Sequence, residues 1–304
     1  MSEERMTPEQ FDKRHNMKVA TDVLIYTVRE QTPAVSGTLP EKKLQLLMIK
    51  RKNDPFKGQW AIPGGAVENN EDVDTAAYRE LKEETDIDNV YIEQLYAWGK
   101  SDRDPRSKQF PQNRSVSVSY IALVDSGKLN VQAGDDAADA KWFSVECDVK
   151  ENLLTENEVI YGKERLYNIT LSHQEDGENI VCNARDSVKK MLEGSTLHTK
   201  REILASSGIA FDHAQIIQYS LERLKSETEL TNIAFNLMPE LFTIEELQGV
   251  YEVLLGKKIV PSSFHTQVVE VDKLVIATNE FKTADLHQSS QLYKFNHQWF
   301  LKNL

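Results

Sequence analysis

The chain has 304 residues, room for two domains, and 40% of them are hydrophobic, so sizeable cores can be buried. Its formal net charge of −12 argues against a general nucleic-acid-binding protein, because such proteins carry basic surfaces. Cys147 and Cys182 are too few for a disulfide framework or a structural zinc site. Without a signal-like start or a membrane-length apolar run, we expect a cytoplasmic protein that does not enter membranes.

The first part of the chain reads as a short helix followed by strands. Thr7-Pro8-Glu9-Gln10 has the form of a capping box and predicts a leading helix. Residues 19–28 and 44–50 are rich in strand-forming side chains. Trp60, just before a glycine pair, is interpreted first as a packing residue and second as a stacking partner for a nucleobase.

The most informative stretch runs from Gly64 to Ile87. A glycine pair leads into a helical pattern from about Val73, and several glutamates lie on the face of that helix that carries its small apolar residues. A solvated helix would carry its acids on the opposite face. Carboxylates crowded together repel each other, and a divalent cation with hard oxygen ligands relieves that repulsion. A salt-bridged surface helix is the alternative that charge pattern alone leaves open.

The residue order in this stretch resembles the Nudix box, in which glycine, glutamate and an Arg-Glu-aliphatic-any-Glu-Glu core follow each other at fixed spacing. The matching residues are Gly65, Glu71, Arg79, Glu80, Leu81, Glu83, Glu84 and Ile87. The one departure is Asp86, where the family has a glycine that ends the helix in a left-handed conformation. Asp also visits that conformation, so we expect a small loss of stability and no loss of chemistry.

The resemblance implies an α+β protein with a Nudix α/β/α sandwich around a mixed sheet, and a pyrophosphohydrolase active site. By resemblance, Mg²⁺ or Mn²⁺ would be held by Glu80, Glu83 and Glu84, with the Gly64 carbonyl as a further ligand. Arg79 and Glu71 would orient these groups, and Gly65 would allow the backbone to approach closely.

Beyond the helix, Val90–Trp98 and Val116–Val124 read as strands, with Arg103, Asp104 and Arg106 between them. The pattern fits either a surface turn or an arginine clamp, since guanidinium binds phosphate bidentately. A similar run in Nudix proteins that handle ADP-ribose favours the clamp. Such relatives also carry a water-activating acid on a later loop, for which Asp135, Asp136 and Asp139 are the candidates.

Residues 164–185 predict a hairpin, Ser187 to Glu193 a helix, and Gly194 to Gly208 a domain boundary. We therefore expect a Nudix domain over 1–200 and a second domain over 205–304.

The second domain reads as helices followed by two strands, which suggests a winged helix-turn-helix. Asp212 could cap its first helix, Thr243 and Glu246 form a capping box, and Pro261 could start another helix. The region resembles the C-terminal domain of Nudix-related transcriptional regulators that sense ADP-ribose. The residues that carry this resemblance are Phe211-Asp212-His213, Ile233-Ala234-Phe235 with Pro239, Leu241 to Gly256, and Leu292 to Phe295.

The charge of this domain opposes DNA binding. From Arg201 to Leu304 there are 9 Lys and Arg against 13 Asp and Glu, a net charge of 9 − 13 = −4. Relatives that bind operators carry several arginines where this chain has Ser262-Ser263-Phe264-His265-Thr266-Gln267. Because phosphate neutralisation supplies most DNA affinity, a structural or dimerisation role is favoured over operator binding.

The leading hypothesis is therefore a metal-dependent hydrolase that cleaves ADP-ribose to AMP and ribose 5-phosphate, as a homodimer. The alternative is a transcriptional regulator that senses ADP-ribose and binds DNA through its winged helix. A third possibility is an enzyme that removes oxidised nucleoside triphosphates. The complete glutamate set favours catalysis, and the second domain favours regulation.

Overall fold

The computed structural model describes residues 17–31, 41–108, 114–129, 137–156, 159–173, 177–190, 197–285 and 288–298. The predicted leading helix at residues 7–10 and the candidate acids Asp135 and Asp136 lie outside these ranges. Within them, no helix is both long enough and apolar enough to cross a bilayer.

The described residues form two compact units. One contains those of Met1–Ile25, Leu46–Ala122 and Asn130–Ser220, and the other contains those of Tyr26–Gln45, Leu123–Leu129 and Leu221–Leu304. The second unit thus draws on three separate stretches of sequence. The domain division at about residue 205 stays a prediction.

Among the described residues, ten strands form one sheet in the order β10-β9-β8-β7-β2-β1-β6-β5, with β3 beside β2 and β4 beside β1. Their bounds are Lys18–Gln31 (β1), Glu41–Arg51 (β2), Trp60–Ala61 (β3), Gly64–Ala66 (β4), Tyr91–Trp98 (β5), Ser115–Leu123 (β6), Ala137–Glu156 (β7), Val159–Ser172 (β8), Asn179–Lys190 (β9) and Leu197–Ser206 (β10). The strands predicted at 19–28, 44–50, 90–98 and 116–124 are all present. In β1 the residues from Thr21 to Val28 are buried without alternation, because both faces of a central strand are covered.

The predicted hairpin is confirmed, since β8 pairs with β9 in antiparallel register from Gly162↔Lys189 to Ser172↔Asn179. The predicted helix from Ser187 is wrong. Ser187 lies in β9, paired with Glu164 on one side and Lys200 on the other. Two ladders of backbone hydrogen bonds outweigh the weak local preference for a helix. The predicted boundary region likewise contains a full strand, β10.

Helix α1 spans Val73–Thr85. It begins at Asp72, whose side chain accepts the Thr75 backbone N–H, and it ends at Asp86 with φ 55° and ψ 26°. The left-handed conformation predicted for Asp86 is therefore observed. Its backbone N–H donates to the Lys82 carbonyl and closes the helix.

Helix α2 spans His213–Leu230, and the boundary between the two units falls inside it, after Ser220. Its apolar side chains Ile216, Ile217 and Leu224 are buried, and Leu221 is half-buried. On another side, within the first unit, the Tyr219 ring contacts the rings of Tyr96 and Trp98 at 5.4 and 5.8 Å.

The second unit contains helices α3 (Ile244–Leu255) and α4 (Pro261–His265), a wider helical turn over Thr266–Val271, and the hairpin β11 (Val275–Asp285) and β12 (Gln288–Phe295). The capping box predicted at the start of α3 is present: Thr243 accepts the Glu246 N–H, and the Glu246 carboxylate accepts the Thr243 N–H. The order of helices followed by a two-stranded hairpin is that of a winged helix-turn-helix.

Charged side chains connect α3 to its surroundings in this unit. Lys282 of the hairpin donates to Glu246 at 2.5 Å, and Lys42 lies 3.5 Å from Glu30. A Cβ placed on Gly249 of α3 would lie 2.8 Å from the Lys42 side chain, so β2 and α3 pack closely there. Burial raises the pKa of Glu246, but the hydrogen bonds from Lys282 and the Thr243 backbone N–H and the charges of Lys282 and Lys42 together outweigh it, and the pKa is lowered.

Candidate functional site

The glycine pair lies where two backbones and a carboxylate approach closely. Strand β4 pairs with β1, with Gly64 opposite Asp22 and Gly65 opposite Thr21. A Cβ at Gly64 would lie 2.1 Å from the Thr21 carbonyl oxygen, which belongs to backbone that cannot move aside. A Cβ at Gly65 would lie 2.1 Å from Glu80 Oε1. Gly64 therefore requires glycine for the strand pairing, whereas a side chain at Gly65 would displace the Glu80 carboxylate from the space beside it.

Arg79 is the centre of the charged groups on α1. Its guanidinium contacts Glu71 twice, at 2.8 and 3.2 Å, and donates to Glu80 Oε1 at 2.7 Å. It lies 3.5 Å from Glu83 Oε1 and donates to the Ala66 carbonyl at 3.2 Å. The arginine thus joins the helix to the glycine loop, which is the geometry that an orienting role requires. That role remains a prediction.

The pKa values of two carboxylates beside Arg79 shift in opposite directions. The hydrogen bond from Arg79 lowers the pKa of Glu71, which also accepts the Glu68 backbone N–H. Burial raises the pKa of Glu80, and its ion pair with Arg79 compensates only in part. Glu80 is therefore the acid that a further cation would help most.

The three predicted metal ligands differ in exposure. Glu80 and Glu84 are buried, whereas the Glu83 side chain is 55% exposed. Among the described residues, no three Asp, Glu, His or Cys side chains converge closely enough to hold a metal ion. In this geometry Arg79 Nη1 lies between the Glu80 and Glu83 carboxylates, at 2.7 and 3.5 Å. The assignment of the three glutamates as metal ligands stays a prediction. The donor set still suits a hard divalent cation, and the glycine cradle leaves room for the Glu80 carboxylate.

The predicted arginine clamp is closed by carboxylates of the same chain. Arg103 donates to both oxygens of Asp212, at 3.0 and 2.8 Å, and its side chain is 8% exposed. Arg106 makes bidentate contacts with Asp104 at 2.6–3.1 Å. Burial of Asp104 raises its pKa, but the hydrogen bonds from Arg106 outweigh it and the pKa is lowered. Arg103 is therefore closed to phosphate until Asp212 leaves, whereas the Arg106 side chain is 51% exposed.

His213 extends this buried group, and no role was predicted for it. Its Nδ1 accepts the Ile62 backbone N–H at 2.9 Å, and its Nε2 lies 3.5 Å from Asp22 Oδ1. The hydroxyl of Ser117 donates to Asp22. Burial lowers the pKa of His213, so the imidazole is neutral and carries its proton on Nε2. The available signal was its place in Phe211-Asp212-His213, directly after a predicted helix cap.

Trp60 is a packing residue. It is 2% exposed, its ring meets Phe143 edge to face at 4.9 Å, and its Nε1 donates to Glu178 at 2.6 Å. Lys50 and Lys141 lie over the ring at 5.0 and 5.5 Å. An indole enclosed in this way offers no face to a nucleobase, so the predicted stacking role does not fit this geometry.

Of the candidate loop acids, Asp139 alone falls within the described residues. It lies 3.2 Å from Lys141 Nζ. Its role as a water-activating acid stays a prediction.

In the second unit, α4 and the turn after it present polar side chains to solvent. Ser262, Ser263, His265, Thr266 and Gln267 are exposed, whereas Phe264 and Val268 are buried. The alternation keeps the helix anchored and leaves one short face of hydroxyl, imidazole and amide groups. Such groups can hydrogen-bond to base edges in a major groove.

Comparison with known families assigns both parts of the chain. Residues 30–159 match the NUDIX domain, and residues 234–295 match the NrtR DNA-binding winged helix domain. The ADP-ribose pyrophosphatase of Methanocaldococcus jannaschii is 37% identical over 137 residues, which is 44% of this chain and 76% of that protein. The chain belongs to the Nudix superfamily.

Its layout is that of the Nudix-related transcriptional regulators. The ADPR responsive transcriptional repressor NtrR of Acinetobacter baylyi is 28% identical over 260 residues, covering 85% of this chain and 78% of that repressor. A crystal structure of Shewanella oneidensis NrtR complexed with a 27mer DNA aligns with a TM-score of 0.58 at 26% identity, over 92% of this chain and 94% of that one. The Enterococcus faecalis MutT/nudix family protein aligns with a TM-score of 0.60 at 26% identity, over 92% and 86%. The predicted fold class is confirmed, with a Nudix fold followed by a winged helix.

Proposed function

We propose that this protein is an ADP-ribose-responsive transcriptional regulator, in which the Nudix domain binds ADP-ribose and the winged helix binds operator DNA. The observation that carries the proposal is the similarity to a repressor with that response along 85% of this chain, through both domains. The leading hypothesis from sequence, a hydrolase, becomes the second candidate.

The geometry of the Nudix part supports a binding role. Arg79 holds Glu80, and Arg103 and Arg106 hold carboxylates of their own chain, so the charged groups are arranged in closed pairs. In a sensor, the ligand has to replace the carboxylate of such an ion pair, and no water molecule has to be activated.

On this proposal, the acidic charge of the second domain limits the contribution of phosphate contacts to DNA affinity and does not prevent DNA binding. Lys258 and Lys282 are engaged by Glu252 and Glu246, and acids outnumber cations in this domain, so phosphate neutralisation is weak. We propose that contacts from Ser263, Thr266 and Gln267 to base edges contribute an unusually large share of the affinity. A homodimer would present two such helices to a palindromic site, and the protein would act in the cytoplasm.

The test is a gel shift with the DNA upstream of the protein's own gene at low salt, with and without ADP-ribose. Ser263→Glu places a negative charge on the proposed DNA face and should abolish retardation. Ser206→Glu makes the same change at an exposed serine of the first unit and should leave retardation intact. Absence of retardation by the native protein, or retention of it by Ser263→Glu, would refute DNA binding by this face.

The second candidate is Mg²⁺- or Mn²⁺-dependent hydrolysis of ADP-ribose, favoured by the complete set of Glu80, Glu83 and Glu84. A bound metal would polarise phosphoryl oxygens and lower the pKa of a water molecule. The chain's own contribution would be to hold the glutamates through Arg79 and to admit the Glu80 carboxylate beside Gly65.

Release of AMP from ADP-ribose, measured with Mg²⁺ and with Mn²⁺, tests this candidate. Glu84→Gln should abolish release, whereas Asp88→Asn, a change on the exposed loop beyond the helix, should not. Turnover that survives in Glu84→Gln would remove the assigned role. Binding of ADP-ribose without any turnover in the native protein would leave the regulator as the sole candidate of the two, and a panel of nucleoside triphosphates would test the third possibility.

A further inference from the structure

The first turn of α2 is held by two loops that belong to the candidate site. Asp212, directly before the helix, is bound bidentately by Arg103. His213, its first residue, accepts the backbone N–H of Ile62, two residues before Gly64. The start of α2 therefore touches both the predicted phosphate clamp and the approach to the glycine pair.

Arg103 is shared between two carboxylates. Besides Asp212, its Nη2 lies 3.6 Å from Asp22 Oδ2, and the side chains of Arg103, Asp22 and Asp212 are only 8%, 10% and 15% exposed. With His213 neutral, these four side chains carry one positive and two negative charges. An anion that approaches Arg103 would add a third negative charge in a poorly solvated place, so it can bind only if a carboxylate leaves.

Asp212 is the carboxylate that can leave. Asp22 lies inside β1, in register with Gly64, and accepts the Ser117 hydroxyl. Asp212 lies outside any strand, next to Phe211, whose φ of 52° is left-handed and unfavourable for a bulky residue. Release of Asp212 would let that backbone relax, whereas release of Asp22 would break a sheet.

We propose that the Asp212 carboxylate is an internal substitute for a phosphate group, and that the diphosphate of a nucleotide sugar displaces it from Arg103 and frees the start of α2. This inference rests on the proposed function, because it explains how ligand binding in the Nudix part is felt elsewhere. The same helix continues past Ser220 into the unit that contains the winged helix.

If the ligand displaces Asp212 from Arg103, the Asp212 carboxylate and the ligand compete for the same guanidinium. The apparent affinity of a ligand is reduced by the fraction of molecules whose site is closed, so removal of the competitor should tighten binding. In calorimetric titration of the full chain with ADP-ribose, we expect Asp212→Asn to lower Kd about tenfold or more. Asp212→Glu keeps the charge and should stay near the native value.

Glu151→Gln is the matched control. It removes one negative charge from an ion-pair group between strands β7 and β8, in which Arg165 Nε and Lys163 Nζ lie 2.8 and 3.3 Å from Glu151. It should leave Kd for ADP-ribose unchanged. A comparable tightening in this variant would show that net charge, and not the exchange, is responsible, and would overturn the inference.

Hydrogen exchange gives a second readout that a purely structural ion pair would not move. The amides of Gln215 and Ile216 donate to the Asp212 carbonyl, so ADP-ribose should speed their exchange in the native protein. The Ala76 amide, which bonds in the same way at the start of α1, should not respond. In Asp212→Asn the two amides should exchange quickly with or without ligand.

The outcomes separate the two proposals. If the native protein binds ADP-ribose but Asp212→Asn has the same Kd, or if exchange at Gln215 and Ile216 is unaffected by ligand, the inference fails and the proposed function stands. If the native protein binds no ADP-ribose in the calorimetric titration, the proposed function fails. The proposed displacement of Asp212 then fails with it.

Discussion

Single atoms decide what the glycine loop can tolerate. The two glycines look equivalent in sequence, but a Cβ would meet rigid backbone at Gly64 and the end of a flexible glutamate at Gly65. A change at Gly65 can therefore be absorbed by movement of Glu80, at the expense of the site. A change at Gly64 must distort the pairing of β4 with β1.

We expect Gly64→Ala to lower the free energy of unfolding by about 3 kcal/mol, since overpacking against immobile atoms has this order of cost. Gly99→Ala is the matched control, because its Cβ would lie 3.7 Å from the Val116 side chain, an ordinary contact. Urea denaturation of the two variants measures the difference. Equal stabilities would mean that the loop yields more easily than this geometry implies.

His213 should make stability depend on pH. Burial lowers its pKa in the folded protein, so below about pH 6.5 the unfolded chain binds a proton that the folded chain does not. The contribution of His213 to the free energy of unfolding is therefore fully present above that pH, and it decreases as the pH drops below it. Asp22, Asp212, Arg103 and Arg51 also act on this imidazole, with opposing signs.

We expect His213→Asn, whose amide oxygen can still accept the Ile62 N–H, to lose less stability than the native protein between pH 7.5 and pH 5.5. Urea denaturation at both pH values measures this, and the comparison at pH 7.5 isolates the packing cost of the substitution. Parallel losses in the two proteins would show that other groups govern the acid response.

What the sequence could predict at this scale was set by local spacing. The Nudix box residues lie within one loop and one helix, so their register and Arg79's contacts with its neighbours follow from helical geometry. The group around Arg103 could not be found in this way. Its partners are 109 residues apart in the Arg103–Asp212 pair and 151 residues apart in the Ile62–His213 bond.

Secondary-structure elements were predictable where the local pattern agreed with the sheet. The capping box of α3 and the buried strands are examples, since residues adjacent in sequence specify them. The end of β9 was not predictable, because Ser187 is held by strands on both sides.

The end of α1 allows a direct test of helix termination. Asp86 has φ 55°, a conformation that costs an ordinary residue about 1–2 kcal/mol and glycine almost nothing. Asp86→Gly should therefore raise the free energy of unfolding by about 1 kcal/mol. Asp86→Ala keeps a Cβ without the polar group and should be less stable than either. Thermal or urea denaturation gives the order, and a stability ranking with Ala at the top would contradict the assignment.

The whole molecule divides less simply than its sequence suggests. A cut near residue 205 would leave the C-terminal segment without Tyr26–Gln45 and Leu123–Leu129, which belong to the same compact unit. It would also remove Lys42 from beside Gly249 of α3, together with Glu30.

We expect a fragment of residues 205–304 to be markedly less stable than the same segment in the full chain. Hydrogen exchange at the Leu247 amide, which donates to the Thr243 carbonyl in the first turn of α3, measures this. Lys42→Ala in the full chain should reproduce part of the loss of protection. Equal protection in the fragment and the full chain would show that the segment folds on its own.

Because this unit is assembled from three stretches of sequence, it also limits the recombination events that would preserve the fold. Recombination between genes joins segments end to end, and a crossover at the apparent domain border would bring in a winged helix without the strands that support it. Replacement of this module by a foreign one would therefore require compensating changes far upstream, around Lys42. The two halves of this protein are expected to have descended together as one gene.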